Sequence, residues 1–206
     1  MPCYAIDGVV PVVDPSAFVH PTAVLIGDVI VGPNCYVGPC ASLRGDFGRI
    51  VLGPGANVQD GCIIHGYPKQ DTLVEENGHI GHGAVLHSCV VRRGALVGIR
   101  AVVMDDVEIG EHAVVAACAF VPVGRHVAPR TMVAGIPAKV VRTLKGDKEI
   151  DWYAEGTRAY HELTGRCLAS LRETQPLAAV EPDRLRLPVS KVDALIVARD
   201  RGIREA

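Results

Sequence analysis

Large aliphatic residues recur every six positions along much of the chain, with small and polar residues between them. The longest unbroken series has eight members: Val91, Val97, Val103, Ile109, Val115, Val121, Val127 and Val133. An earlier series consists of Val19, Leu25, Val31, Val37 and Leu43. A period of six fits neither an α-helix nor an ordinary strand, and it indicates a solenoid in which one short strand and one tight corner recur.

The positions next to the aliphatic residue fit a tight corner. The residue two positions before it is usually small, and the residue after it is often glycine: Gly32, Gly38, Gly98 and Gly110. We expect these glycines to relieve a strained backbone angle. Three six-residue units make one triangular coil of 18 residues, and stacked coils place parallel strands about 4.8 Å apart on three faces. We therefore predict an all-β solenoid, a parallel β-helix of about six coils over residues 17–137.

The register is interrupted once, and the pattern changes again near the C-terminus. Residues 66–79 lack the repeat and carry charges and a proline, so we predict a loop insertion that projects from one corner. Residues 1–145 then form the β-helix domain, residues 146–175 a C-terminal α-helix packed alongside it, and residues 176–206 a partly ordered tail. The helix is predicted from an apolar stripe at helical spacing: Ile150, Tyr153, Tyr160, Leu163, Cys167 and Leu171.

Composition narrows the class of protein. The chain has 206 residues and a net charge of −2, which gives no basic footprint for nucleic acid. It has no apolar run long enough to cross a membrane and no recognisable secretion signal, so we expect a cytoplasmic protein without membrane association. Seven cysteines without a CxxC pair are expected to be reduced thiols.

Three histidines occupy related positions in the repeat. His65 and His87 each follow a six-spaced aliphatic residue, and they are 22 residues apart, which is one coil of 18 plus four. If the loop absorbs those four residues, the two side chains stack on one corner and can share one ion. His82 lies on a different corner and faces away from the pair within one chain. A threefold arrangement would bring His82 of one subunit to the pair of the next, so we predict a homotrimer with metal sites between subunits.

Three neutral imidazoles leave a divalent ion with an open coordination position. Such a site lowers the pKa of a bound water to about 7 and supplies hydroxide at neutral pH. Zn2+ is the default ion, and Fe2+ or Co2+ fits the same ligands. The alternative is that these are surface histidines without an ion, and His79, which is out of register, is a possible substitute ligand.

Several motifs together resemble the γ-class carbonic anhydrase family over residues 5–175. They are LRGDFG (43–48), NVQDGCIIHG (57–66) and GHIGHGAVLH (78–87). The resemblance implies a left-handed β-helix whose zinc ligands are His65, His82 and His87.

The same resemblance implies roles for three further residues. Arg44 and Asp46 correspond to a pair that joins subunits near the metal, although such a pair can also be purely structural. Gln59 corresponds to the glutamine beside the metal-bound water, and we place it between the Arg–Asp corner and His65. Phe47 stands where the archetypal carbonic anhydrase carries a proton-transferring glutamate, which argues against fast CO2 hydration.

Within that superfamily, other motifs resemble the PaaY (phenylacetate degradation) and CaiE (carnitine operon) branch. They are HGYPKQDT (65–72), LVGIRAVVMD (96–105) and GRCLASLRETQPL (165–177). The branch implies a trimeric bacterial zinc protein, with hydrolysis of acyl-CoA thioesters on the PaaY side and a link to carnitine and CoA metabolism on the CaiE side. Tyr67 and Phe47 are candidate substrate contacts.

We therefore predict a metal-dependent hydrolase in which metal-bound hydroxide attacks a carbonyl carbon, that of an acyl-CoA thioester, with slow CO2 hydration. The alternatives are a genuine γ-carbonic anhydrase acting on CO2 or bicarbonate, a CoA-dependent acyltransferase of the hexapeptide-repeat type, and a non-catalytic accessory protein of the carnitine operon.

Overall fold

Short parallel strands stack coil upon coil and form the solenoid that the six-residue period predicts. The structure, a computed structural model, describes residues 2–187. One helix, α1 (Gly146–Ser170), follows the strands. The strands are β1 (Cys3–Tyr4), β2 (Val12–Val13), β3 (Phe18–Val19), β4 (Val24–Val31), β5 (Tyr36–Val37), β6 (Ser42–Leu52), β7 (Asn57–Val58), β8 (Ile63–His65), β9 (Thr72–Val74), β10 (His79–Ile80), β11 (Val85–His87), β12 (Val90–Val91), β13 (Leu96–Val97), β14 (Val102–Val103), β15 (Glu108–Ile109), β16 (Val114–Val115), β17 (Phe120–Val121), β18 (His126–Val127), β19 (Thr131–Ala134) and β20 (Lys139–Thr143).

The strands lie on three faces. The first face carries β8, β11, β14 and β17, and the second carries β9, β12, β15 and β18. The long strands β4 and β6 continue across the corner between these two faces and join them into one twelve-stranded sheet. The third face is an eight-stranded sheet in which every strand except β20 is parallel to its neighbours. The parallel β-solenoid is thus confirmed, with about seven turns where the sequence indicated six.

The predicted loop at 66–79 is too long. Residues Thr72–Val74 form a strand that pairs with both β6 and β12. Val74 is fully buried and lies in register between Leu52 and Val91. Only residues 66–71 lie outside the repeat at this point. Charged and polar neighbours on both sides hid this strand in the sequence, and the omission contributed to the low count of coils.

Glycine follows the buried aliphatic residue for a reason other than the one expected. Gly110 does not have a positive φ, but a Cβ there would lie 2.5 Å from the backbone nitrogen of Pro129 and 2.6 Å from the carbonyl oxygen of Val127. Gly32, Gly38 and Gly98 show the same close approach of the next coil. The constraint is therefore contact between coils rather than backbone strain.

The helix α1 packs along the third face and ends at Ser170, before the predicted limit of 175. Near its start Ile150 and Tyr153 pack against Val114 and Met132, and further along the ring of Tyr160 lies 5.0 Å from that of Tyr36. Residues 176–187 of the predicted tail are exposed and form neither helix nor strand, and residues 188–206 lie outside the described residues. Within residues 2–187, no helix has the length and apolar character needed to span a bilayer.

The coil contact at Gly110 gives a stability prediction. Gly110→Ala should lower the free energy of unfolding by about 1–3 kcal/mol, because the added methyl group overlaps backbone atoms that cannot move aside cheaply. Guanidinium unfolding at fixed protein concentration measures this. The control is Gly165→Ala in α1, where nothing lies within 4 Å of the new methyl group and helix propensity favours alanine by about 1 kcal/mol. Equal stability of the two variants would contradict the close contact.

Candidate functional site

His65 and His87 stack on the corner between the first and second faces, as their spacing predicts. They end strands β8 and β11 and are direct partners in the parallel register. Nδ1 of His65 lies 3.2 Å from Nε2 of His87. The four additional residues of this coil are absorbed by the loop at 66–71, so the pairing depends on the length of that loop.

An aspartate carboxylate lies within hydrogen-bonding distance of the other ring nitrogen of each stacked histidine. Oδ1 of Asp46 lies 2.9 Å from Nε2 of His65, and Oδ1 of Asp105 lies 2.5 Å from Nδ1 of His87. Asp105 was missed by the sequence analysis. The signal that could have found it is its position 18 residues, or one coil, after His87.

Arg44 completes this row of side chains. Its Nη1 donates to Oδ2 of Asp46 at 2.7 Å, so the predicted Arg–Asp pair forms within one chain. Burial acts to raise the pKa of Asp46, but hydrogen bonds from Arg44 and His65 outweigh it and hold that pKa below its ordinary value. Asp46 is therefore ionised at neutral pH and acts as an acceptor toward His65.

Two aromatic side chains flank the histidines. The ring of Phe47 lies 5.5 Å from that of His65, and the ring of Tyr67 stands nearly perpendicular to that of His87 at 5.1 Å. Phe47 is 61% exposed and Tyr67 is 56% exposed. Both residues suggested as substrate contacts therefore border the histidine pair and present apolar surface outward.

His82 lies on another corner, between the third and first faces. Its Nδ1 is 2.7 Å from Oδ2 of Asp60, and its Nε2 is 3.5 Å from the hydroxyl of Tyr160 on α1. Its side chain is 44% exposed. In the part of one chain that the structure describes, no three His, Cys, Asp or Glu side chains converge as a metal site. The three predicted ligands thus fall into a pair and a single residue on separate corners.

Gln59 is not beside His65, where the sequence analysis placed it. It follows β7 at the corner that also carries His82, and its backbone N–H donates to the carbonyl oxygen of Ile80. The residue is only 2% exposed, and its side-chain amide nitrogen lies 2.7 Å from Nε2 of His79. The reason is the three-faced path of the chain, because a residue six positions before His65 lies one corner earlier.

His79, the possible substitute ligand, joins the helix to the solenoid. Its Nδ1 lies 3.2 Å from the Thr157 hydroxyl on α1, and its Nε2 faces Gln59. Most of the ring is enclosed between helix and sheet, although one edge borders a groove beside α1. Burial lowers the pKa of His79 to about 4, so the ring is neutral at pH 7.

The chain is similar to known hexapeptide-repeat proteins in sequence and in fold. The sequence model of the family "Bacterial transferase hexapeptide (six repeats)" matches residues 88–122. A solved hexapeptide transferase family protein from Anaplasma phagocytophilum is 33% identical with a TM-score of 0.76, over 80% of this chain and 97% of that one. A Bacillus cereus protein provisionally assigned as an acetyltransferase is 30% identical with a TM-score of 0.79, over 81% of this chain and 96% of that one. The fold and site therefore define a hexapeptide-repeat protein.

The curated relatives are more specific. The carnitine operon protein CaiE of Escherichia coli O7:K1 is 56% identical over 187 residues, which are 91% of this chain and 95% of that protein. CaiE of Escherichia coli O157:H7 is 57% identical over the same shares. The chain belongs to the CaiE family of hexapeptide-repeat proteins, which confirms the CaiE side of the expected branch.

The neutral, enclosed state of His79 predicts a pH dependence of stability. Its folded pKa is below the ordinary value of 6.5, so its contribution is complete above pH 6.5 and is lost as the pH falls toward 4. Between pH 7.5 and pH 5, wild type should lose about 2 kcal/mol more unfolding free energy than His79→Gln. Urea unfolding at both pH values measures this difference. The control is His126→Gln at an exposed position. An equal pH dependence of the unfolding free energy in His79→Gln and wild type would contradict the assignment.

Proposed function

We propose that the protein is a homotrimer that holds one divalent cation, Zn2+ by default, at each subunit interface and hydrolyses acyl-CoA thioesters. The observation that carries the proposal is shared by all three predicted ligands. Each of His65, His82 and His87 has one ring nitrogen within hydrogen-bonding distance of an aspartate. Metal-binding histidines are commonly oriented in this way by a carboxylate.

The residues fit a zinc ion in donor type and in spacing. Two nitrogen ligands at about 2.05 Å from a tetrahedral zinc ion are about 3.3 Å apart. The facing nitrogens of His65 and His87 are 3.2 Å apart. A pair alone is an incomplete site, and a third imidazole, from His82 of the partner subunit, would leave the fourth position open for water. In a threefold arrangement every chain both gives and receives that histidine, which makes three equivalent sites per trimer.

When bound, zinc would supply a water of lowered pKa, about 7. The chain's own side chains prepare the site for it. Asp46 and Asp105 orient His65 and His87 so that one nitrogen of each ring faces the other ring, and Arg44 keeps Asp46 ionised. In the overall reaction a water oxygen bonds to the carbonyl carbon, the carbon–sulfur bond breaks, and a carboxylate, the CoA thiol and one proton are released.

Phe47 favours a thioester over CO2 as the substrate. CO2 hydration at a high rate needs a group that removes a proton in each turnover. The Phe47 ring beside His65 has no such group, but it offers apolar surface to an acyl substrate. Slow CO2 hydration is compatible with the same site. The alternative is a genuine γ-carbonic anhydrase, for which CO2 is the main substrate.

The second candidate is a CoA-dependent acyltransferase. It is favoured by the names of the matched family and of the two solved structures. Within one chain, His82 with Asp60 at 2.7 Å is a half-exposed dyad that can act as a general base. This function would need an acyl acceptor and no metal, and a non-catalytic role in the operon would need neither.

Mixed trimers test the shared site. His82→Ala and His87→Ala should each abolish zinc binding and thioester hydrolysis in pure trimers. Co-expressed in equal amounts, the two variants should recover about one quarter of the wild-type sites, because every mixed trimer has one interface that combines an intact pair with an intact His82. Zinc content and CoA thiol release measure the recovery.

The outcomes of that experiment are distinct. No recovery with folded mixed trimers would place the whole site within one chain. Full activity of His82→Ala without zinc would contradict the metal-dependent mechanism. Acyl transfer that persists without metal in wild type but is lost in His82→Ala would favour the transferase.

Asp105 gives a second test with a matched control. Asp105→Asn should weaken zinc binding by about 10- to 100-fold, because His87 loses the carboxylate that orients it. Asp106→Asn alters the adjacent acid, whose carboxylate contacts Gln70 rather than a histidine, and should leave zinc affinity unchanged. Competition with a chromogenic chelator measures both affinities. Equal affinities for the two variants would exclude the positioning role of Asp105.

A further inference from the structure

A groove of about 470 Å3 runs between α1 and the third face of the solenoid. One wall is the helix stripe formed by Trp152, Tyr153, Gly156 and Tyr160. Gly156 leaves a gap in this stripe, where a Cβ would meet only the ring of His79 at 3.4 Å. The groove has the size of a small-molecule site, for which about 300–1,000 Å3 is typical.

The floor of the groove is smooth because only small residues fit there. A Cβ on Gly81 would lie 2.8 Å from the backbone nitrogen of Ile99, and one on Gly98 would lie 2.6 Å from that of Ala117. The coils thus leave a shallow channel across the strand ends, with half-exposed Ile99 at its rim.

The two ends of the groove differ in chemistry. Met132 and Val114 line the end near the start of α1, whereas Gln59 and His82 line the other end. No Lys, Arg, Asp or Glu is among the described residues that line it. The channel is therefore uncharged and mostly apolar, and it reaches the reactive corner at one end only.

We propose that this groove binds the acyl chain of the thioester substrate, an apolar chain of several carbons, with its carbonyl end at His82. The inference rests on the proposed function, in which His82 is the third metal ligand. An uncharged chain matches the lining, because a charged group would lose hydration without gaining a partner of opposite charge. The phosphates of CoA require cations for the same reason and stay outside the groove.

Trp152 reports on the groove directly, because it is the only tryptophan in the chain. The full-length protein, freed of metal by chelation, is titrated with CoA, acetyl-CoA and octanoyl-CoA while Trp152 emission is followed. Octanoyl-CoA should change the emission saturably, with a Kd lower than that of CoA or acetyl-CoA by about tenfold or more, because additional methylene groups leave water. No emission change, or equal Kd values for the three ligands, would overturn the proposal.

Two leucine variants on one helix locate the effect. Gly156→Leu should fill the gap and remove the advantage of octanoyl-CoA while leaving acetyl-CoA binding unchanged. Gly165→Leu makes the same change where nothing lies within 4 Å, and it should behave as wild type. If Gly156→Leu does not fold, Gly156→Ala, which favours the helix, should give a smaller loss in the same direction. Retained preference for octanoyl-CoA in a folded Gly156 variant would contradict the assignment.

The acyl-chain groove and the proposed hydrolase function can each be contradicted without the other. Octanoyl-CoA binding without hydrolysis in the zinc-loaded protein would support the groove as an acyl-chain site and contradict the hydrolase function. Hydrolysis without a change in Trp152 emission would support the hydrolase function and show that the acyl chain binds outside this groove.

Discussion

Parallel stacking of each coil on the next, at about 4.8 Å per coil, is the constraint on which the rest of this structure depends. It allows only small residues where coils touch, as at Gly98 and Gly110, and it places residues one coil apart directly above one another. His65 and His87 meet for that reason, and Asp105 reaches His87 from the coil beyond. Chemistry on this scaffold is therefore arranged in columns along the corners.

The columns on two corners carry complementary halves of the candidate site. One corner holds the histidine pair with Asp46 and Asp105, and the other holds His82 with Asp60. The helix is tied to the second corner, since Tyr160 approaches His82 and Thr157 contacts His79. Docking of α1 thus shapes both the surroundings of His82 and the groove beside it, which connects the stability of the helix to the site.

The sequence predicts most of this architecture because a six-residue period is a strong signal that survives a break. A count of residues is enough to predict that His65 stacks on His87 and that His82 lies on a separate corner. The sequence did not reveal the strand at 72–74, whose single buried Val74 is surrounded by charged and polar residues. Gln59 was misplaced because its position was taken from the order of the motifs, whereas the six-residue count puts it one corner before His65. Asp105 was overlooked because its partner lies one whole coil away.

The central claim is that two chains complete one metal site. Crystals of the zinc-loaded protein, measured at the zinc absorption edge, test it most directly, because anomalous scattering locates the ion without reference to activity. We expect one zinc ion per chain, bound by His65 and His87 together with His82 of the partner subunit. A zinc ion bound without that histidine, or crystals of folded protein that take up no zinc, would contradict it.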